Sequence, residues 1–176
     1  MRTLLKNGIS FSTSNFEVEP INILIDGSNI ESVSTEEIQV DHDVNIHDLN
    51  GNLIIPGLID SHTHSAQSFG SGIYDNIHLT QWLYTLGQLF KLSEEETYLA
   101  AQLSSLEAIR SGTTTLAEMT TAGAHGEACI QAIADSGLRA DVCMALGDFQ
   151  EGDNDPPELN ATQTLEIMHN LFKDWH

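Results

Sequence analysis

Positive charge is scarce in this sequence. Of its 176 residues only 6 are lysine or arginine, against 26 aspartates and glutamates, a formal net charge of −20. A field of that sign repels nucleic-acid phosphates and anionic membrane surfaces, so neither is expected as a partner. It favours solubility, as an adaptation to a salty cytoplasm or simply as an acidic soluble protein. Cysteine is nearly absent. Cys129 and Cys143 fall in segments that read as helix and strand, which predicts reduced core residues rather than a bridge. No stretch approaches the roughly 20 apolar residues that a membrane span needs. The N-terminal segment is interrupted by Lys6 and Gly8 before it reaches signal-peptide length. A cytoplasmic location is the expectation. Aromatic residues are modest at 6%, but the apolar fraction of 40% supports a core and excludes a disordered composition. There is no low-complexity tract.

What is present divides in two. Residues 1–55 read as short strands punctuated by tight turns. Thr3-Leu4-Leu5 precedes a turn at Asn7-Gly8, and Ile21–Ile25 meets another at Asp26-Gly27. Asn50-Gly51-Asn52 marks a third turn before a strand at Leu53-Ile54-Ile55. With no helical period, this stretch predicts a small β-sandwich-like domain. From residue 56 to 176 the pattern changes to strand and helix in alternation. Leu58–His64 reads as a buried strand and Leu79–Phe90 as a helix. Ser93 and Glu96 form a capping box for a second helix carrying Leu99, Leu103, Leu106 and Ile109 on one face, stopped at Ser111-Gly112. Thr113–Met119 is strand-like, Glu127–Ser136 a helix stopped by Gly137, and Leu138–Leu146 a strand. A polar loop, Asp148–Pro157, leads to a last helix with Leu165, Met168 and Phe172 on one side. The prediction is an α/β chain with about three parallel βα units. A closed (β/α)₈ barrel needs eight, so these are an incomplete barrel.

The chemistry concentrates at Asp60-Ser61-His62-Thr63-His64, where the first of these strands ends. Side chains alternate along a strand, so positions 62 and 64 face one side, and two imidazoles there can converge on one metal ion. The C-terminal end of a barrel strand is where such folds keep their catalytic groups. The pair alone carries little weight, because 8 histidines in 176 residues supply about 0.4 such pairs by chance.

The surrounding residues carry more. Pro56-Gly57-Leu58-Ile59-Asp60-Ser61-His62-Thr63-His64 resembles, position by position, the motif that opens the barrel in the amidohydrolase superfamily. Asp48–Ile55 resembles the run leading out of that family's small β-domain. Asp75, Leu79 and Trp82-Leu83, with Ser111-Gly112-Thr113-Thr114-Thr115 and Glu118-Met119, resemble segments of its chlorohydrolase and aminohydrolase branch, which acts on triazines, purines and related amino-heterocycles. The resemblance runs from about residue 3 to 147.

It implies a divalent metal, zinc being the expected ion and iron the alternative, held here by His62 and His64. A metal-activated water would attack a ring C–NH₂ or C–Cl carbon, or an amide carbon. In the family the other ligands are histidines on two later strands and an aspartate on the last, with a His or Glu handling protons. Those strands lie outside this sequence, so no catalytic general base is expected in it. The chain is therefore expected to be a truncated product, a fragment or one piece of a longer protein, inactive alone. The complete enzyme would take a small heterocyclic substrate and form a homo-oligomer.

Other residues have weaker claims. Asp60 shares the parity of the two histidines and could orient a ligand or simply pack. Trp82 could wall the substrate pocket, as its counterpart does in the family, or belong to a helix core. Gln67 could touch substrate, and Glu118 could face the pocket or cap the next element. His42, His47, His78, His125 and His169 read as solvated. In adenosine-type deaminases of this branch a Pro and then a Glu follow the Trp-Leu pair. Tyr84–Lys91 has neither, which argues against a nucleoside substrate. Two other readings compete: a cyclic-amide hydrolase of hydantoinase or dihydroorotase type, and a non-catalytic remnant or assembly piece. The Trp-Leu segment and the threonine-rich second strand favour the first reading over the cyclic-amide one. The remnant reading rests on the open strand edge that three βα units leave.

Overall fold

Asn-Gly and Asp-Gly pairs decide where the N-terminal strands bend. In the computed structural model residues 1–12, 14–73, 75–89, 91–121, 125–145 and 160–175 are described, and the chain divides into two units, Met1–Pro56 and Gly57–His176. The first unit contains β1 (Arg2–Phe11), β2 (Val18–Asp26), β3 (Asn29–Ser34) and β4 (Asn45–Asp48) in one sheet of order β3-β2-β1-β4. This is one layer of sheet: Leu4 and Leu24, opposite each other on β1 and β2, are buried on one side of it and Ile23 on the other.

The two turn signals behave differently from each other. Asp26-Gly27 does close a hairpin, with Asp26 opposite Asn29 and Gly27 at φ 58°. Asn7-Gly8 does not end its strand. Asn7 takes φ 58° and the β1–β2 register slips between Leu5 and Gly8, so β1 bulges and continues. The Asn7 side chain donates to Asp48, and its backbone N–H to the Asn22 side chain, which supports the bulge from both flanks. Leu53–Ile55 forms a single bridge, Leu53 to Ile9, rather than the strand predicted. The segment β3, whose sequence Asn29-Ile-Glu-Ser-Val-Ser34 is polar at four of six positions, was not expected.

The second unit holds β5 (Leu58–Thr63), a 3₁₀ segment (Ser65–Gly70), α1 (Leu79–Leu89), α2 (Glu94–Arg110), β6 (Thr113–Thr121), α3 (Gly126–Ser136), β7 (Arg139–Ala145) and α4 (Ala161–Trp175). Phe90, Leu146 and the loop Asp148–Pro157 lie outside the described residues. The three strands are parallel, in the order β5-β6-β7. Parallel strands require crossover connections, and helices supply them here. The Ser93–Glu96 capping box forms as predicted, with Ser93 Oγ accepting from the Glu96 N–H and the Glu96 carboxylate from the Ser93 N–H. The Ser93 N–H, and after it the Ser93 side chain, hold the Glu96 carboxyl below its ordinary range. Gly112 and Gly137, at φ 85° and 80°, end α2 and α3.

The core of this unit lies between β6 and the helices. Leu116 packs with Ala101 of α2 and with Cys129, Ala132 and Ile133 of α3. The face of α2 that buries is therefore Thr97, Ala100, Ala101 and Ser105, not the predicted leucine stripe. Small side chains let α2 approach α3 and the sheet closely, whereas Leu99, Leu103, Leu106 and Ile109 remain exposed on the far side. Cys143 departs from expectation in the same way. It is exposed on the edge strand β7, while Cys129 is buried, and the two form no bridge.

Candidate metal centre

Gly57 decides how β5 enters the sheet. A Cβ at this position would lie 2.9 Å from Thr114 Cβ and closer still to the threonine's two γ atoms. The absence of a side chain lets β5 start hard against β6, where the Leu58 N–H donates to the Gly112 carbonyl at 2.9 Å. The pairing shifts register once between Leu58 and Ile59 and again where the histidines begin. Asp60 sits opposite Leu116 and Thr63 opposite Glu118, so three steps on β5 match two on β6. A strand that gains a residue leaves a backbone donor outside the ladder. The Asp60 carboxylate accepts the His62 N–H at 3.1 Å. Asp60 thus acts on His62 through the backbone.

Beyond the slip, the two imidazoles meet edge to face, ring centroids 4.9 Å apart and planes at 88°. His62 is exposed and His64 half-buried. His64 Nδ1 lies 2.8 Å from the Met119 carbonyl of β6. A carbonyl can only accept, so Nδ1 carries the proton and Nε2 is the nitrogen left to bind a metal. The donor set fits a divalent ion that prefers nitrogen ligands, and it fits only in part. Among the described residues no group of three or more His, Cys, Asp or Glu side chains gathers at one point, whereas zinc takes four ligands.

The weaker candidates are placed as follows. Gln67 lies in the 3₁₀ segment, half-buried, its backbone N–H donating to the His64 carbonyl at 2.9 Å. Trp82 is half-buried near the start of α1, and its N–H bonds the His78 carbonyl within that helix turn. His42, His47, His78 and His169 are exposed. His125 is half-buried in a left-handed conformation, φ 78°, at the start of α3.

Ser65 was not singled out for the site, and Glu118 takes a place in it that neither of its expected roles describes. Ser65 follows His64 directly and is fully buried, and Glu118, at 1% exposure, accepts its N–H and its hydroxyl. Glu118 therefore neither faces the uncovered side of the sheet nor caps α3. Its parity with Leu116, two positions earlier, was the available signal, since both must face the helical layer.

Comparisons with known proteins bear on the fold and the family. A 5-methylthioadenosine/S-adenosylhomocysteine deaminase of Thermococcus kodakarensis is 33% identical over 175 residues, 98% of this chain and 40% of its own length. The crystal structure of an atrazine chlorohydrolase from Arthrobacter aurescens, complexed with zinc, superposes with a TM-score of 0.79 at 23% identity, over 99% of this chain and 43% of that one. A guanine deaminase from C. acetobutylicum, with guanine bound in its active site, gives 0.77 at 24% identity over the same shares. The chain spans about two fifths of the length of these proteins, consistent with a partial (β/α)₈ barrel. Residues 53–174, from the last turn of the first unit through α4, match the amidohydrolase family, and the chain belongs to that family.

Proposed function

We propose that this chain carries the first part of the active site of a metal-dependent hydrolase that removes an amino or chloro group from a heterocycle. The observation that carries the reading is the His62–His64 pair at the end of β5, with His64 held in the Nδ1–H form and its Nε2 available. His62 and His64 would hold the ion, zinc being the expected one and iron the alternative. Bound there, the metal supplies the Lewis acidity that makes water a nucleophile near neutral pH. The chain's own contribution is placement: β5 brings the imidazoles together, Asp60 holds the His62 backbone and Met119 the His64 ring, and Gln67 and Trp82 are candidates to line the substrate pocket. The general base and the remaining ligands belong on strands beyond these three.

Among heterocycles, the relative named for methylthioadenosine and S-adenosylhomocysteine brings nucleosides back into consideration. The stretch 84–91 lacks the Pro and Glu of adenosine-type deaminases, and it is where a nucleoside reading is weakest. We keep amino-substituted purines and triazines as the substrate class. The complete enzyme would be a soluble, cytoplasmic homo-oligomer. No helix among the described residues is long and apolar enough to cross a membrane.

A second reading, a non-catalytic assembly piece, has an observation of its own. Leu58 and Ile59 on β5 are 49% and 71% exposed, an apolar edge that invites pairing with another chain. One experiment separates the two. The coding DNA is read downstream of His176, and the encoded protein is assayed for ammonia and chloride release from a panel of aminopurines, 5′-substituted adenosines and chlorotriazines. A frame of roughly five further βα units with chelator-sensitive release supports the hydrolase. The 176-residue chain alone is expected to release neither product. Release by that short chain would overturn its assignment as an incomplete site, and a long protein active only on cyclic amides would overturn the substrate class.

A further inference from the structure

Among the described residues of the second unit, Glu118 is an unusual group. A carboxylate at 1% exposure ordinarily has a cationic partner or several strong donors. Among the described residues its hydrogen-bond partners are all neutral. The Ser65 N–H approaches Oε1 and Oε2 at 3.2 and 3.0 Å, Ser65 Oγ donates to Oε2 at 2.6 Å, and Cys129 Sγ lies 3.7 Å from Oε1. Ser65 is itself fully buried and follows His64 without an intervening residue. Glu118 and Met119 are likewise consecutive on β6. Two consecutive residues of β6 thus grip one dipeptide at two points: the Glu118 side chain takes Ser65 in the helical layer, and the Met119 carbonyl takes the His64 ring. The 3₁₀ segment that starts at Ser65 is anchored again by Ser68 Oγ donating to the Ala100 carbonyl at 2.6 Å.

We infer that Glu118 is a positioning residue for His64, fixing the imidazole's orientation and tautomer through the buried Ser65 contact. It does not touch the metal. The physical logic is that a hydrogen bond from His64 Nδ1 to a carbonyl holds the ring only if the His64 backbone is itself held. β5 cannot do this, because it ends at Thr63, opposite Glu118, and no strand pairing reaches His64 itself. The side-chain clamp from Glu118 replaces the missing ladder constraint at the residue where it is needed. The consequence for metal binding rests on the metal-site reading above; the consequence for the ring does not.

The test uses the 176-residue chain. Long-range ¹H–¹⁵N spectra report the His64 tautomer without metal, with the ring signals assigned by comparison with His62→Ala and His64→Ala. Zinc affinity is measured by competition with a chromophoric chelator. Wild type should show a single Nδ1–H form of His64. Glu118→Gln, which keeps the shape but cannot accept from Ser65 on both oxygens, should give mixed tautomers and about tenfold weaker zinc binding, the lower end of the range for a residue supporting a metal ligand. Ile133→Val, a core change away from the clamp, should lower stability and leave the tautomer intact. If Glu118→Gln does not fold, Ser65→Ala, which removes only the hydroxyl donor, must still shift the tautomer. A folded Glu118→Gln, or a Ser65→Ala read in its place, with an unchanged His64 spectrum would overturn the inference. If wild-type chain binds no zinc while its His64 tautomer is fixed and responds to Glu118→Gln, the metal-site reading fails and the positioning role stands.

Discussion

Replacing Gly57 with alanine tests the close approach on which the placement of β5 depends. The backbone at Gly57 is not in the left-handed region, so alanine meets no dihedral penalty and the substitution reads sterics alone. The new Cβ would lie 2.9 Å from Thr114 Cβ, against the roughly 3.5–4.0 Å at which carbon pairs rest. Rotating Thr114 can move its γ atoms away, but its Cβ is fixed to the β6 backbone. The strands must therefore separate by about 0.6 Å or more at this point. The Leu58–Gly112 hydrogen bond at 2.9 Å spans the same place and would stretch. Overpacking of this kind costs about 1–3 kcal/mol, and the smaller entropy of alanine in the unfolded chain returns about 0.4–1 kcal/mol. The net loss should be about 1–2 kcal/mol, which for a chain of this length lowers Tm by roughly 2–8 °C. Circular dichroism melts of wild type, Gly57→Ala, Thr114→Ala and the double variant would measure it. The double variant should be more stable than additivity predicts, since Thr114→Ala removes the two γ atoms. It should not recover wild type, because the Cβ contact survives. A Gly57→Ala chain that melts at or above the wild-type temperature, or a strictly additive cycle, would refute the argument.

The remaining predictions concern the start of α2. Ser93→Ala should cost about 1 kcal/mol, the usual value of an N-cap hydroxyl, read as a lower urea midpoint with unchanged slope. Glu96 is held below its ordinary carboxyl range first by the Ser93 N–H and then by the Ser93 side chain. A folded-state value below the unfolded one contributes stability that is complete above the unfolded pKa and is lost as pH falls through the folded one. Glu96→Gln keeps the cap geometry without the charge, so the advantage of wild type over this variant at pH 7 should shrink as pH drops below about 4.5. Urea midpoints for both proteins from pH 7 to 3 check this, and a gap that stays constant through that range would show that the charge contributes nothing.

The sequence was readable where a residue's role depends on its near neighbours. The capping box is set by two residues three apart, and the stops at Gly112 and Gly137 by glycine's tolerance of φ near 80°. The parallel βα alternation follows from changes of period that span only a few residues each. Failures occur where the answer lies far along the chain. Asn7-Gly8 has the composition of a hairpin turn, yet Asp48 and Asn22 hold it as a bulge inside a continuing strand. The leucines of α2 show the strongest apolar period in that helix, yet α3 and β6 pack against its alanines. Hydrophobicity identifies a face able to be buried; which face is buried depends on which partners the chain supplies.

The candidate site shows the same division within six residues. His62 and His64 could be picked out because their side-chain chemistry and surrounding motif are local. The simple alternation used to put them on one face is not what brings them together, since the β5–β6 register slips between Asp60 and Thr63. Their rings meet at 4.9 Å because each is tied separately: His62 by its N–H to Asp60, His64 by its Nδ1–H to Met119. The first tie spans two residues and could have been guessed from an Asp-x-His pattern. The second spans 55 residues, and the Glu118–Ser65 contact beside it spans 53. A glutamate closing a threonine-rich strand suggests a pocket-facing acid as readily as a buried anchor. Only the pairing of β6 with β5 decides, by setting Glu118 opposite Thr63 and turning its carboxylate toward the serine that follows the second histidine.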